Sequence, residues 1–123
     1  MIDHFRAHWF GIADGDASGH ESDCSGLAYP ARAAGKVARW SLERTATFLH
    51  HAARARLRIN VVGSADATPH EISIMKIFEA LATGDDDTAR AQARWLVPAP
   101  AIDALLGRAK PVAELYPQMQ RAA

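Results

Sequence analysis

The chain has 123 residues, no net formal charge, and 49% hydrophobic against 23% charged residues. That is enough apolar material for one domain with a core of its own, and too much for a disordered polymer. Zero net charge excludes nucleic-acid binding by bulk charge alone, and the single cysteine, Cys24, excludes an internal disulfide.

Asp3 is placed to cap a short helix from about His4 to Ile12, with Phe5, Trp9 and Ile12 on one side. Residues 14–26 are rich in Asp, Gly and Ser and read as a polar loop. The chain therefore divides into a short helix plus loop over 1–26 and a helical core over 27–123, within a single domain. Its first residues lack the basic start and apolar run of a signal peptide. No stretch reaches the roughly 18 apolar residues that span a bilayer. A cytoplasmic location without membrane contact is expected.

The strongest pattern runs from about Pro30 to Ala55. At 100° per residue, Arg32, Lys36, Arg39, Glu43, His50, Arg54 and Arg58 fall within roughly 100° of arc. Val37, Ala38, Leu42, Phe48, Leu49, Ala52 and Ala53 fill a broader, apolar one. Trp40 borders the two, and is expected to be partly exposed while Trp9 and Trp95 join the core. Seven Arg or Lys lie between Arg32 and Arg58 against one acid, Glu43. Acidic residues cluster on either side of this segment, in residues 1–24 and 66–87. Pro30 suits the first turn of this helix, and Gly35 would let a neighbour approach closely.

Arg56 would point into the apolar arc, so the helix is expected to fray near Ala55. Leu57 to Gly63 alternates weakly. Without a second strand to pair with, it reads as an extended connector. Thr68-Pro69-His70-Glu71 is a helix start, with a capping Thr, a first-turn Pro and Glu at the third position. Ile72, Met75, Phe78, Glu79 and Ala82 follow helical spacing, with Ile74, Ile77 and Leu81 broadening the apolar side, until Gly84 closes the helix, and Asp85 to Asp87 cap the next. That helix, Thr88 to Val97, sets Ala89, Ala93 and Leu96 inward. Pro98 and Pro100 break it, and two short helices follow: Ile102 to Arg108, capped by Gly107 or ended before Pro111, and Val112 to Met119. The sum is an all-α, single compact multi-helix domain of about five helices built around one long amphipathic helix.

Ile77-Phe78-Glu79-Ala80-Leu81-Ala82-Thr83-Gly84-Asp85, followed by Ala89, Ala93 and Leu96, resembles the last helical hairpin of the effector-sensing domains in the FCD class of GntR-type repressors. The resemblance implies a helical effector-sensing domain of a transcriptional regulator. It covers about 25 residues. Where such domains often place a metal-binding His before the Ala-Leu pair, this chain has Ile74.

The basic stripe defines the first candidate site. Arg32, Lys36, Arg39, Trp40, His50, Arg54 and Arg58 form a face suited to an acidic protein partner or to nucleic acid, with Trp40 as the anchor or stacking group. The reading is of a small non-enzymatic binding or regulatory protein without a cofactor. The apolar arc also suits a homodimer. The alternative is a transition-metal protein: His4 and His8 lie one turn apart, and His20 with Cys24 would complete a zinc-type shell. Asp14-x-Asp16-x-Ser18-Gly19 opens like a calcium loop, but Glu21 and Ser25 stand where the apolar anchor and the bidentate Glu belong. No nucleophile elbow, P-loop or dinucleotide fingerprint occurs.

Overall fold

The computed structural model of the chain describes residues 1–13 and 29–122, with side chains over 1–11 and 29–119. Among the described residues are six α-helices and no strand, so the all-α expectation holds. They are α1 (Ile2–Ala13), α2 (Arg32–Ala52), α3 (Pro69–Ala82), α4 (Asp86–Ala93), α5 (Ile102–Glu114) and α6 (Tyr116–Ala122), with a 3-10 turn at Ala99–Ala101 before α5. The longest, α2, packs against α1 and α5, and α5 in turn lies against α3 and α4. The polar loop and the calcium-like spacing at residues 14–28 lie outside the described residues.

The inner side of α2 buries Ala38, Leu42, Ala46 and Leu49 as the helical period requires, while Val37 stays on the outside. Both ends of α2 are shorter than the period alone suggests, for tertiary reasons. Before the helix, the chain doubles back under Gly35: a Cβ there would stand 2.1 Å from the Pro30 carbonyl oxygen. Arg32 takes a left-handed φ of 61° to make that turn, so Pro30 precedes the helix instead of starting it. After Ala52, the Arg54 N–H donates to the Leu96 carbonyl at 2.8 Å instead of to its own helix. The chain leaves α2 at that point because the end of α4 supplies the acceptor.

The helix start at Thr68 forms as its residues dictate. The Thr68 hydroxyl accepts from the Glu71 N–H and the Glu71 carboxylate accepts from the Thr68 N–H, a reciprocal capping box. At the other end of α3, Gly84 adopts φ 79°, the Asp85 N–H donates to the Ala80 carbonyl and the Gly84 N–H to the Leu81 carbonyl. This is a Schellman closure. Asp85 then caps α4 through the Thr88 N–H and hydroxyl. Ala89 and Ala93, both fully buried, let α4 lie close on α3.

Two expectations are corrected. Trp95 is 72% exposed, just past the end of α4, and is not a core residue. The helix α5 does not stop before Pro111 but runs through it to Glu114. Proline removes one N–H from the ladder and crowds the carbonyl four residues back. Ser41 of α2 supports the site: its hydroxyl donates to the Arg108 carbonyl at 2.7 Å and accepts from the Val112 N–H at 3.0 Å. A side chain from one helix thus completes the backbone bonding of another. Ser41→Ala is expected to destabilise the fold by about 1–3 kcal/mol, the cost of stranding two buried backbone groups. Chemical denaturation checks this, and Pro111→Ala in the same chain should return part of the loss by restoring a regular ladder.

Candidate functional site

Sequence reasoning missed the most constrained side chain in the molecule. Arg6 is 1% exposed and Glu71 is fully buried. Arg6 Nε donates to Glu71 Oε2 at 2.7 Å and Nη2 to Oε1 at 2.9 Å. The remaining N–H groups donate to Asp3 Oδ1 at 2.9 Å, the Ser64 carbonyl at 3.0 Å and the Asp66 carbonyl at 2.9 Å. All donors of the guanidinium are thereby used. Glu71 also accepts from the Asn60 N–H at 2.9 Å and, as the capping box requires, from the Thr68 N–H at 2.9 Å. Asp3 further accepts from the N–H of Gly63, whose φ of 90° belongs to the turn between Val61 and Ser64. Asp3 is therefore not a helix cap as expected but a bridge from α1 to that turn.

Burial would raise the Glu71 pKa. The hydrogen bonds from Arg6, Thr68 and Asn60, with the charge of Arg6, outweigh burial and hold the carboxyl below its ordinary value. Asp3 is lowered in the same way, burial opposing the bonds from Gly63 and Arg6.

The expected metal histidines sit around an aromatic ring. His4 meets Tyr29 edge-on at 4.7 Å, and His8 Nε2 lies 2.9 Å from the Tyr29 hydroxyl. The Arg39 guanidinium covers the same ring at 4.3 Å. Burial, with the charges of Arg39 and His4, pushes His8 down to about 4, and burial pushes Tyr29 up to about 12 against the pull of Arg39. His20 and Cys24 lie outside the described residues, and among the described residues no three His, Cys, Asp or Glu converge as a metal-holding group.

The basic stripe separates into two zones. In the first half of α2, Arg32 and Lys36 are exposed and Trp40 is 51% exposed, with the Arg44 guanidinium over its ring at 4.6 Å. Arg39 is drawn inward over Tyr29. In the second half, His50 is not on a solvated face: its ring stacks on Trp9 with centroids 3.6 Å apart, and its Nε2 reaches the Trp9 carbonyl. Arg54 and Arg58 lie beyond the helix. Arg54 Nε donates to the Val97 carbonyl, and the Arg58 N–H donates to His70 Nδ1 at 2.8 Å.

The second zone borders a cleft of about 960 Å³ between α1, the end of α2, the 55–60 connector and the start of α3. Trp9, Phe10 and His50 line one side, and Arg56, Arg58 and Thr68 are among the others. A groove of about 620 Å³ lies elsewhere, beside Lys76, Glu79, Asp85 and Tyr116.

No protein-family model matches the chain, and no curated protein and no solved structure matches it. The resemblance of the α3–α4 hairpin to the FCD class thus remains one of local pattern, carried by a Schellman closure and two small inward alanines.

Two outcomes test the buried contacts. Glu71→Ala leaves the buried Arg6 charge with only the partly exposed Asp3 as counter-ion and is expected to cost about 3–5 kcal/mol in urea unfolding, whereas replacing both Arg6 and Glu71 by apolar residues should cost less. For pH, a half-buried neutral His8 makes the unfolded chain bind the extra proton between the ordinary pKa of 6.5 and about 4. Stability is complete above that window and falls as pH drops through it, by up to about 3 kcal/mol. Asp3 and Glu71 act lower, their contribution lost only as pH falls through their depressed values. Thermal unfolding between pH 7 and pH 4 should show the first loss, and His8→Gln should flatten it.

Proposed function

We propose that the protein is a non-enzymatic binding protein whose working surface is the first half of α2, and that its partner is an acidic protein. The observation that supports this is the row Arg32, Lys36, Trp40 and Arg44, spaced four residues apart along one ridge of the helix. Trp40 stands half-exposed within it, beside an exposed Val37. A solvated charge run needs no such aromatic, whereas a large ring flanked by cations is the composition of an interface anchor. Nucleic acid is the weaker fit. With Arg39 held over Tyr29 and Glu43 on the same face, about three cations remain for phosphates, too few for the multiple contacts from which such binding draws its strength.

The structure also selects the cleaner substitutions. Arg39 and Arg54 make internal contacts, so reversing them would disturb packing as well as charge. Arg32, Lys36 and Trp40 are exposed. A copolymer of Glu and Tyr serves as the acidic probe and a random single-stranded DNA oligonucleotide as its competitor, both titrated against the full chain. The copolymer is expected to bind, with a loss of about tenfold or more in Trp40→Ala and in the double variant Arg32→Glu with Lys36→Glu. Preference for the oligonucleotide, or binding untouched by these substitutions, would overturn the reading.

A further inference from the structure

We propose a second, separate binding site: the cleft beside Trp9 and His50 takes a small organic anion with a flat apolar body, such as an aromatic carboxylate. Four observations carry this. The volume, about 960 Å³, lies at the upper end of the range for small-molecule sites, roughly 300–1,000 Å³. One wall is apolar and flat, formed by Phe10 and by Trp9 with the half-buried His50 ring stacked parallel to it. Among the described residues no Asp or Glu lines the cleft, while two arginines, Arg56 and Arg58, do. Both are exposed, and among the described residues neither guanidinium makes a hydrogen bond or ion pair.

The connector that presents these arginines is irregular in name only. The Arg54 N–H is held by Leu96, the Arg58 N–H by His70, the Arg58 carbonyl by the Thr68 hydroxyl, and the Asn60 N–H by Glu71. Between those ties residues 56–60 belong to no helix or turn, and around Leu57 burial alternates as along a strand. Leu57 turns inward and is 7% exposed, while Arg56 and Arg58 are exposed on either side of it. Their Cα atoms are then roughly 7 Å apart, close enough for both guanidinia to reach one carboxylate. Burial alternates over residues 56–58 and not beyond, since residues 61–63 are all exposed and belong to the turn closed at Ser64. Around Leu57 the alternation sets two cations at the mouth of an aromatic cleft, and a ligand carrying charge at one end and a ring at the other satisfies both parts.

The test is calorimetric titration of the full chain with 1-naphthoate and, separately, with the uncharged 1-naphthamide, following the His50 ring proton by NMR. The expected result is one naphthoate per chain with a dissociation constant below about 1 mM, and a movement of the His50 resonance. The amide should bind at least about tenfold more weakly. Arg56→Gln with Arg58→Gln should lose about tenfold or more for naphthoate at an unchanged melting temperature, because both side chains are exposed. Arg32→Gln with Lys36→Gln should leave naphthoate binding intact, which separates this site from the α2 surface. Equal binding of acid and amide, indifference to the Arg56 and Arg58 changes, or no binding of either compound would overturn the proposal. So would loss of the acidic copolymer in the Arg56 and Arg58 variant, since the cleft would then belong to the protein-docking surface.

Discussion

The guanidinium of Arg6 ties the first helix to the 61–66 segment and to the start of α3. Arg6 is buried with Glu71, and each group is saturated: the cation donates to two carboxylates and two carbonyls, and Glu71 accepts from Arg6 and from two backbone N–H groups. Burying two charges is costly, and their mutual attraction offsets the cost only when every other lone pair and proton is also satisfied. Here the satisfaction comes from four places in the chain: α1, the turn at 61–64, the connector and the α3 N-terminus. An apolar pair could hold α1 in place as strongly, but it would not dictate the register of Asp3 against Gly63 or of Asn60 against Glu71.

The placement of α1 also splits the basic stripe into two parts with different surroundings. A helical wheel assumes that the helix persists and that every neighbour is water. At the second half of α2 neither holds, because α1 brings Trp9 onto His50 and the end of α4 draws Arg54 away from the helix. Charges that share an arc by angle are assigned by their neighbours to different jobs. One group faces outward around Trp40, and another borders the open cleft beside Trp9.

What was legible in the sequence was local. Thr68, Pro69 and Glu71 announced a helix start, because capping involves residues three positions apart. Gly84 and Asp85 announced a stop and a restart for the same reason. The apolar period gave the inner face of α2 and the all-α class. Long-range compensation was not legible. Pro111 reads as a breaker until Ser41 is known to stand beside it, and Trp95 reads as core because indole usually is. Glu71 was read for one of its two duties. The only hint of the other was Arg6 itself, the lone cation among the acids of the first 24 residues. Of the candidate surfaces, Trp40 with Arg32 and Lys36 was visible from periodicity and Arg44 was not, whereas the cleft depends on the Trp9–His50 stack, whose partners are 41 residues apart in the chain.

The Ser41 contact couples folding as well as geometry. Its two bonds reach 67 and 71 residues along the chain, an unusual separation for groups that complete a helical turn. A helix in isolation makes its bonds from within and can fray or re-form by itself. At Pro111, α5 relies on a hydroxyl present only when α2 is docked. Its second half is therefore expected to gain its order with α2 and to surrender it with α2. Amide exchange at Val112 would report opening of the α2–α5 interface and not local fraying of a chain end. The two helices are expected to open and close together.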